Sequence, residues 1–574
     1  MRVKPDFSER PFGEHPRPQM RRESFFSLNG RWEYAITEDK EPPERYQGEI
    51  LVPYSPESAA SGAGRQLKAG EYLHYRRSFD VPKGFDRGRV FCHFGACDQE
   101  CEVFLNGVFL GGHAGGYTPF SFELFPLRQR GNELRVRVRD DAASDRFGRG
   151  KQSYRPGGIW YTATSGLWQT VWLESTPLSY IRSFRFYPDA KAGKLTVKVL
   201  SSDRGETKIT VLDGDMPICE GRGEGSIELD VSACRRWTPD APELYRVVLA
   251  FGEDRVESYF GLRDFSLAER DGRRYFALNG EPIFQSGLLD QGYWPEGVYT
   301  PPSNRAMYEE IAAVKALGFN MLRKHIKLEP ALWYYYCDCL GVLVWQDLVN
   351  GGAPYKKHRI CLAPFVDLHI DDTNYRGMGR NEASRAQYLR EAEETIDALF
   401  NCVSLCLWTP FNEAWGQFDA VRVCERLRAI DPTRLYDHAS GWQDKGGGDV
   451  CSRHVYFRKV RLKNDKRRAL ALTEFGGYSF ALAGHVFREK RFGYRGFHKR
   501  EDYVRAWRKL YEEEILPAVE REGLCAAVYT QLSDVEEEIN GIFTADRVLK
   551  GDGEEMQRVN EALRRAFERS LARS

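Results

Sequence analysis

The sequence predicts two antiparallel β-sandwiches followed by a (β/α)8 barrel, all within one chain of 574 residues. Three observations predict it. Up to residue 264 the chain reads as short apolar or alternating runs divided by turn residues, with no long amphipathic helix. Beyond Gly272 apolar runs alternate with amphipathic helical stretches. Eight such runs spread over about 300 residues match a barrel with insertions.

Residues 1–178 supply the first sandwich. Arg31–Ile36, Tyr72–Phe79, Arg89–Phe94, Glu102–Leu105 and Glu133–Val138 read as strands, and Asn106-Gly107 marks a hairpin turn. Residues 179–264 repeat the pattern on the scale of an immunoglobulin-like sandwich, with Leu195–Leu200, Lys208–Val211, Ser226–Leu229 and Tyr245–Phe251 as strands. In residues 265–574 strand candidates begin at Ile283, Phe319, Val342, Val403, Leu435, Val450, Ala469 and Gly523. Helices are expected over Ser303–Leu317, Glu329–Leu340, Ala383–Phe400, Ala420–Ile430, Asp502–Glu520 and Glu555–Leu571. Helices after the fifth and sixth strands are weak or missing, so pattern alone leaves a doubly wound sheet open; the strand count favours the barrel.

Composition narrows the function. Lys plus Arg and Asp plus Glu each number 83, which removes any global electrostatic case for nucleic acid or an anionic membrane. No apolar run approaches the length of a membrane span, and the N-terminal MRVKPDFSERPFGEHPRPQM has no apolar core that would make it a secretory signal. The 13 cysteines include several in apolar strand or helix contexts, the usage of a reduced cytoplasmic enzyme. Cys337 and Cys339 lack a second ligand pair at zinc spacing, so neither metal nor cofactor is expected. Aromatic residues make up 13%, which suits β-rich cores and sugar-stacking platforms alike.

Reactive side chains of a barrel project from the C-terminal ends of its strands. Val403–Leu407 runs into Trp408-Thr409-Pro410-Phe411-Asn412-Glu413, and Ala469–Leu472 runs into Thr473-Glu474. A glutamate at a loop entrance pairing with an arginine would explain either one. Two, each behind a fully apolar run, point to a catalytic pair. Two carboxylates facing one cavity are the apparatus of glycoside hydrolysis, one as nucleophile and one as acid and then base. Their separation, and with it the stereochemical outcome, cannot be read from spacing.

These residues carry a resemblance to glycoside hydrolase family 2. SLCLWTPFNEAW resembles its acid/base signature and LTEFGG its nucleophile strand. SLNGRWEY, VPYSPES, YRRSFDVP, VFLNGVFLGGHAGGYTPF and SGLWQTVWLE resemble its sugar-binding jelly-roll. WTPDAPELY and FGLRDF resemble the end of its immunoglobulin-like domain, and FALNGEPIFQSG and GFNMLRKHIK its first two barrel strands. The resemblance implies Glu413 as acid/base and Glu474 as nucleophile. It also implies that Asn412 donates to the sugar 2-hydroxyl and that Tyr456 hydrogen-bonds the nucleophile, although a core aromatic would explain Tyr456 equally well.

Departures from the family pattern mark the substrate end. Arg323 and His325 stand two apart, so both can point into the barrel, where the family commonly spaces its histidine three after the arginine. Trp345-Gln346-Asp347 resembles the mannosidase branch; Asp347 either binds a hydroxyl or pairs with Arg323. The Asn-x-Lys of the glucuronidase branch is missing from INGIFTADR. Tyr529 and Gln531 fall where many members place a tryptophan, and Asp290, Trp294, Trp442 and His454 lie at or just beyond strand ends. Within the long loop Asn350–Arg380, Lys356, Lys357, His358 and Arg359 read as a solvated basic stretch, or a surface for an acidic group or another subunit. Asp534–Glu538 reads as a solvated acidic loop, with a cation site as the alternative.

The expectation is therefore a retaining exo-β-glycosidase, β-galactosidase-like, acting on a small oligosaccharide or glycoside. β-Mannosidase, β-glucuronidase and α-L-arabinosidase specificities are the alternatives. A carbohydrate-binding protein without catalysis is the rival from another class. Homo-oligomerisation is expected from the family alone.

Overall fold

The computed structural model describes residues 12–353 and 370–572. The basic stretch Lys356–Arg359 lies outside the described residues.

The first sandwich packs a four-stranded sheet (Phe25–Ser27, Val171–Thr176, Arg89–Phe94, Phe120–Glu123) against a six-stranded one (Gly48–Val52, Gly30–Thr37, Tyr72–Phe79, Asn132–Arg139, Glu100–Leu105, Val108–Ala114). Strand alternation drives this. In Asn132–Arg139 every second side chain is buried, and Leu134, Val136 and Val138 meet Val90, Cys92 and Phe94 in one core. Asn106 and Gly107 both take positive φ, 51° and 83°, and join Leu105 to Val108 as a two-residue hairpin of right-handed twist requires. The second sandwich sets three strands (Ile181–Asp189, Lys194–Ser201, Ser226–Asp230) on four (Met216–Gly223, Thr207–Asp213, Tyr245–Phe251, Asp254–Phe260) around its own core.

The barrel strands are β1 (Gln285–Asp290), β2 (Met321–Lys324), β3 (Leu343–Asp347), β4 (Leu405–Thr409), β5 (Leu435–Tyr436), β6 (Val450–Val455), β7 (Ala469–Gly476) and β8 (Leu524–Thr530). All are parallel and pair in the order β5-β4-β3-β2-β1-β8-β7-β6, a barrel closed except for the seam between β5 and β6. That rules out the doubly wound alternative, since β1 lies between β2 and β8. Helices α1 (Asn304–Ala316), α2 (Ala331–Leu340), α3 (Glu382–Leu399), α4 (Ala420–Ile430), α5 (Arg500–Leu510), α6 (Leu516–Glu522) and α7 (Gly553–Ala572) surround it. α3 begins on a capping box, Asn381 accepting from the Ser384 amide and Ser384 accepting from the Asn381 amide. No helix follows β5 or β6 among the described residues, as the sequence suggests.

The barrel core is continuous with both sandwiches. Tyr117, Tyr161 and Trp168 of the first and Trp237, Leu244 and Tyr259 of the second are buried in it. Below the barrel, Asp338 of α2 accepts from the amides of Val403 and Ser404 and from the Tyr259 hydroxyl. No described helix is long and apolar enough to cross a membrane.

Candidate active site

Glu413 lies four residues past β4, in a turn where it and Ala414 both have left-handed φ, 51° and 61°. Such backbone persists in a residue with a side chain only when its surroundings over-determine it. Here the Glu413 amide donates to Ser440 O at 3.0 Å, Ser440 N donates to Phe411 O at 2.8 Å, and Trp415 N donates to Asn412 O at 2.9 Å. Glu474 lies within β7. The register of β7 slips against β8 between Leu472 and Phe475, and that of β6 slips against β7 between Arg453 and His454. These bulges re-aim the side chains of Glu474 and His454, a frequent use of bulges at barrel rims.

The two carboxylates meet across His454. One oxygen of Glu413, one of Glu474 and a ring nitrogen of His454 all lie within 4.8 Å of one another. His454 Nδ1 is 2.8 Å from Glu413 Oε1 and 3.5 Å from Glu474 Oε2. Among the described residues these are the three whose ligand atoms come close enough to share an ion. A 2.8 Å histidine–carboxylate contact is a hydrogen bond, so that pair holds a proton between its atoms.

Arg323 organises the floor. Fully buried, it makes a bidentate pair with Asp347 (Nε–Oδ1 and Nη2–Oδ2, both 3.0 Å) and donates to Glu474 Oε1 at 3.2 Å, Thr473 O at 3.0 Å, Asn412 Oδ1 at 2.9 Å and Ser440 Oγ at 2.8 Å. One guanidinium thus fixes side chains from four strand ends. The second oxygen of Glu474 accepts from the Tyr456 hydroxyl, and the Tyr456 ring stacks on Tyr494 at 4.3 Å. The Asn412 side-chain carbonyl is taken up by Arg323 and Ser440, while its amide nitrogen donates to no described residue. His325 Nδ1 bonds Asp347 Oδ2 at 2.7 Å.

The environments of the two glutamates diverge. Burial pushes the Glu413 carboxyl up, and the charge of Glu474 adds to it, against the opposing contact with His454. Burial also works against the charge of Glu474, but His454, Arg323, His325 and the Tyr456 hydroxyl together outweigh it and bring the carboxyl below its usual range. Burial lowers the His325 imidazole to about 4, against its hydrogen bond to Asp347.

A family model described as "Glycosyl hydrolases family 2, TIM barrel domain" matches residues 301–564. A β-galactosidase of Bacteroides ovatus is 29% identical over 347 residues, 55% of this chain and 38% of that protein. A β-glucuronidase of Bacteroides fragilis is 23% identical over 453 residues, 72% of this chain and 60% of that protein. Among solved structures, a β-glucuronidase of Ruminococcus gnavus superposes with a TM-score of 0.74 at 15% identity, over 97% of this chain and 100% of that one. A β-galacturonidase of Eisenbergiella tayi gives 0.70 at 19%, over 95% and 97%. Residues 301–564 thus match the barrel domain of glycoside hydrolase family 2. The chain's match covers about two fifths of the length of the first curated relatives, 38% and 39%.

Within this barrel, Glu413, Glu474, Asn412, Tyr456, Arg323, Asp347, His325 and His454 converge. Trp442 stands at their rim, half-buried, its ring 5.3 Å from that of His454. Four other expected residues are placed elsewhere. Asp290 pairs in register with Lys324, one residue out of phase with the inward Leu289 and Arg323, so it faces outward and is bound to Lys324 Nζ at 2.6 Å. Trp345 does point inward but leans to the barrel floor, its Nε1 donating to Gln285 Oε1 at 2.6 Å, its ring against Phe276. Gln531 is fully buried and accepts from Gln291. Trp294 lies beneath the Arg547 guanidinium at 3.7 Å.

The acidic run Asp534–Glu538 is not a solvated loop. Glu536 and Glu537 accept from the amides of Thr162 and Gly158, Glu538 from the Tyr161 hydroxyl, and Asp534 pairs with Lys550. It clamps the first sandwich onto the barrel, which is why four acidic side chains stay buried. Sequence reasoning also missed Ser440, Tyr494, Trp415 and Lys151. Ser440 follows β5 closely enough for the strand-end rule to have found it. Tyr494 and Lys151 come from a loop and from another domain, where no periodicity points to them.

Proposed function

We propose that this chain is a retaining exo-β-glycosidase with Glu474 as nucleophile and Glu413 as acid/base. The observation that carries the reading is the facing carboxylate pair, with oxygens within 4.8 Å and environments that favour a proton on one and a charge on the other. Retaining enzymes bring their carboxyl groups to about 5–5.5 Å, whereas inverting ones leave room for a water. Divergent proton affinities support this division of roles.

In the first step Glu474 attacks the anomeric carbon as Glu413 gives its proton to the leaving oxygen. Arg323 and Tyr456 hold one oxygen of Glu474 each, which fixes its attack line before the sugar arrives. The hydrogen bond of His454 occupies Glu413 Oε1, leaving Oε2 for the leaving group. The Asn412 amide, oriented through its carbonyl, is set to donate to the 2-hydroxyl as oxocarbenium charge develops. In the second step Glu413, now a base, takes a proton from water, which attacks the glycosyl ester of Glu474.

The preferred glycone is a β-galactoside, supported by the names of the Bacteroides ovatus and Thermoanaerobacter pseudethanolicus relatives. A uronide is the second reading, favoured by the ammonium of Lys151, which has no hydrogen-bond or ion-pair partner among the described residues and whose charge acts on Glu413. An aryl-glycoside panel over β-galactoside, β-mannoside, β-glucuronide, β-glucoside, β-xyloside and α-arabinoside tests both. Glu474→Gln should abolish turnover on every substrate, and Glu413→Ala should spare only those with highly activated leaving groups. NMR should show the β-anomer released first. Full activity of Glu474→Gln on any of them overturns the assignment.

A further inference from the structure

Residues 148–162 of the first sandwich form a roof over one side of the barrel mouth. The amides of Arg149 and Gly150 both donate to Asn350 O, at 2.8 and 3.0 Å, beyond β3. Trp160 stacks on Trp415, beyond β4, with ring centroids 5.3 Å apart. Thr162, Gly158 and Tyr161 bind the three glutamates beyond β8. Gly150 has no room for a side chain: a Cβ there would stand 2.7 Å from the carbonyl of Ile326, next to His325. Three barrel loops and this close approach fix the depth at which the next residue, Lys151, enters the site.

Lys151 is only 7% exposed, yet its ammonium makes no hydrogen bond or ion pair with any described residue. Its neighbours are the faces of Tyr161 and Trp415, with centroids 5.6 and 5.9 Å away. Its charge acts on both Glu413 and His325, so it stands within electrostatic reach of both. With its stem buried against aromatic faces and no described acceptor on its ammonium, Lys151 keeps its N–H donors free for a ligand oxygen. Arg323, Asp347, Glu413 and Glu474 by contrast each have a described hydrogen-bond partner.

We propose that Lys151 is a specificity-determining residue for the terminal sugar, its ammonium donating to an oxygen of the glycone in the space between Glu413 and His325. The acceptor is a ring hydroxyl or a uronate carboxylate, and the first sandwich thereby completes a binding site whose chemistry belongs to the barrel. This rests on the glycosidase reading above.

The test uses the full chain with Lys151→Met and Lys151→Arg, on 4-nitrophenyl and 2,4-dinitrophenyl glycosides of the sugar the wild type cleaves. Loss of a charge-assisted hydrogen bond should lower kcat/KM roughly ten- to a hundredfold in Lys151→Met, by the same factor for both leaving groups, with partial recovery in Lys151→Arg. A carboxylate acceptor makes the wild type prefer the uronide to the matching hexoside, and Lys151→Met erases that preference. A hydroxyl acceptor makes one monodeoxy glycoside lose the same factor in the wild type and nothing further in Lys151→Met. A kcat/KM within twofold of wild type, or losses additive with every deoxy substrate and every charge, overturns the inference. If Glu474-dependent hydrolysis persists in either case, the glycosidase reading stands without it. If the wild type hydrolyses no glycoside, both fall.

Discussion

At the residue scale the site is a set of proton affinities held apart by buried contacts. Glu413 is raised by burial and by the neighbouring carboxylate, while Glu474 is lowered because His454, Arg323, His325 and Tyr456 outweigh its burial. The proposed mechanism needs the first protonated and the second ionised. It should therefore fall as pH rises through the raised value of Glu413 and fall as pH drops through the lowered value of Glu474, a bell with an extended acid side. The limbs belong to the coupled pair. In Glu413→Ala, kcat/KM on a 2,4-dinitrophenyl glycoside needs no proton donor, so the alkaline limb should vanish and the acid limb remain. An alkaline limb that survives assigns it to another group. The glutamates and Asn412 were legible in the sequence because each ends an apolar strand. The roles of Asp347 and Trp345 were not. Both are buried on one face of β3, and only the structure shows that one turns to Arg323 and the other to Gln285. Asp290 misled because a strand end alone does not fix which way a side chain points.

At the element scale the distinctive feature is the seam between β5 and β6. β5 has only two residues, and no ladder joins it to β6. The edge is instead satisfied by Asp449, whose amide donates to Tyr436 O at 2.7 Å and whose carboxylate accepts from Tyr436 N at 2.8 Å and from Arg428 at 2.6 Å. One residue thus reproduces both bonds of a missing strand pair. Asp449→Ala leaves the Tyr436 amide unsatisfied in a buried place and should cost about 1–3 kcal/mol of stability. The melting temperature should drop by several degrees, read by calorimetry, with kcat on the preferred glycoside close to wild type at 25 °C. An unchanged melting temperature would mean water replaces the carboxylate. This seam explains a gap in the sequence pattern. The weak helical signal after the fifth and sixth strands was correct, because side chains close that side of the barrel. The strands themselves were legible from their apolar runs, whose starts lie within two residues of those observed.

At the scale of the whole molecule, the chain is divided by sequence pattern into three domains and joined by polar contacts that pattern does not reveal. Trp237 of the second sandwich donates to Asp338 O at 2.9 Å, Arg263 to Val403 O at 3.0 Å, and Arg22 ties Glu174 of the first sandwich to Asp254 of the second. Above, the glutamates after β8 hold the roof that carries Lys151. Isolated domains would unfold at separate temperatures. Domains sharing a buried core and these ties should unfold together, so calorimetry should give one transition whose calorimetric and van't Hoff enthalpies agree. Replacing Glu536 and Glu538 by alanine removes acceptors for the Thr162 amide and the Tyr161 hydroxyl while leaving the barrel floor intact. The first sandwich should then loosen ahead of the barrel, and a low-temperature shoulder should separate from the main transition. Activity should be lost across that shoulder, with KM rising before kcat falls, because the roof departs while Glu413 and Glu474 stay in place. Activity that outlasts the shoulder would show that the barrel alone binds the sugar, and two resolved transitions in the wild type would show that the interfaces are too weak to couple the domains at all.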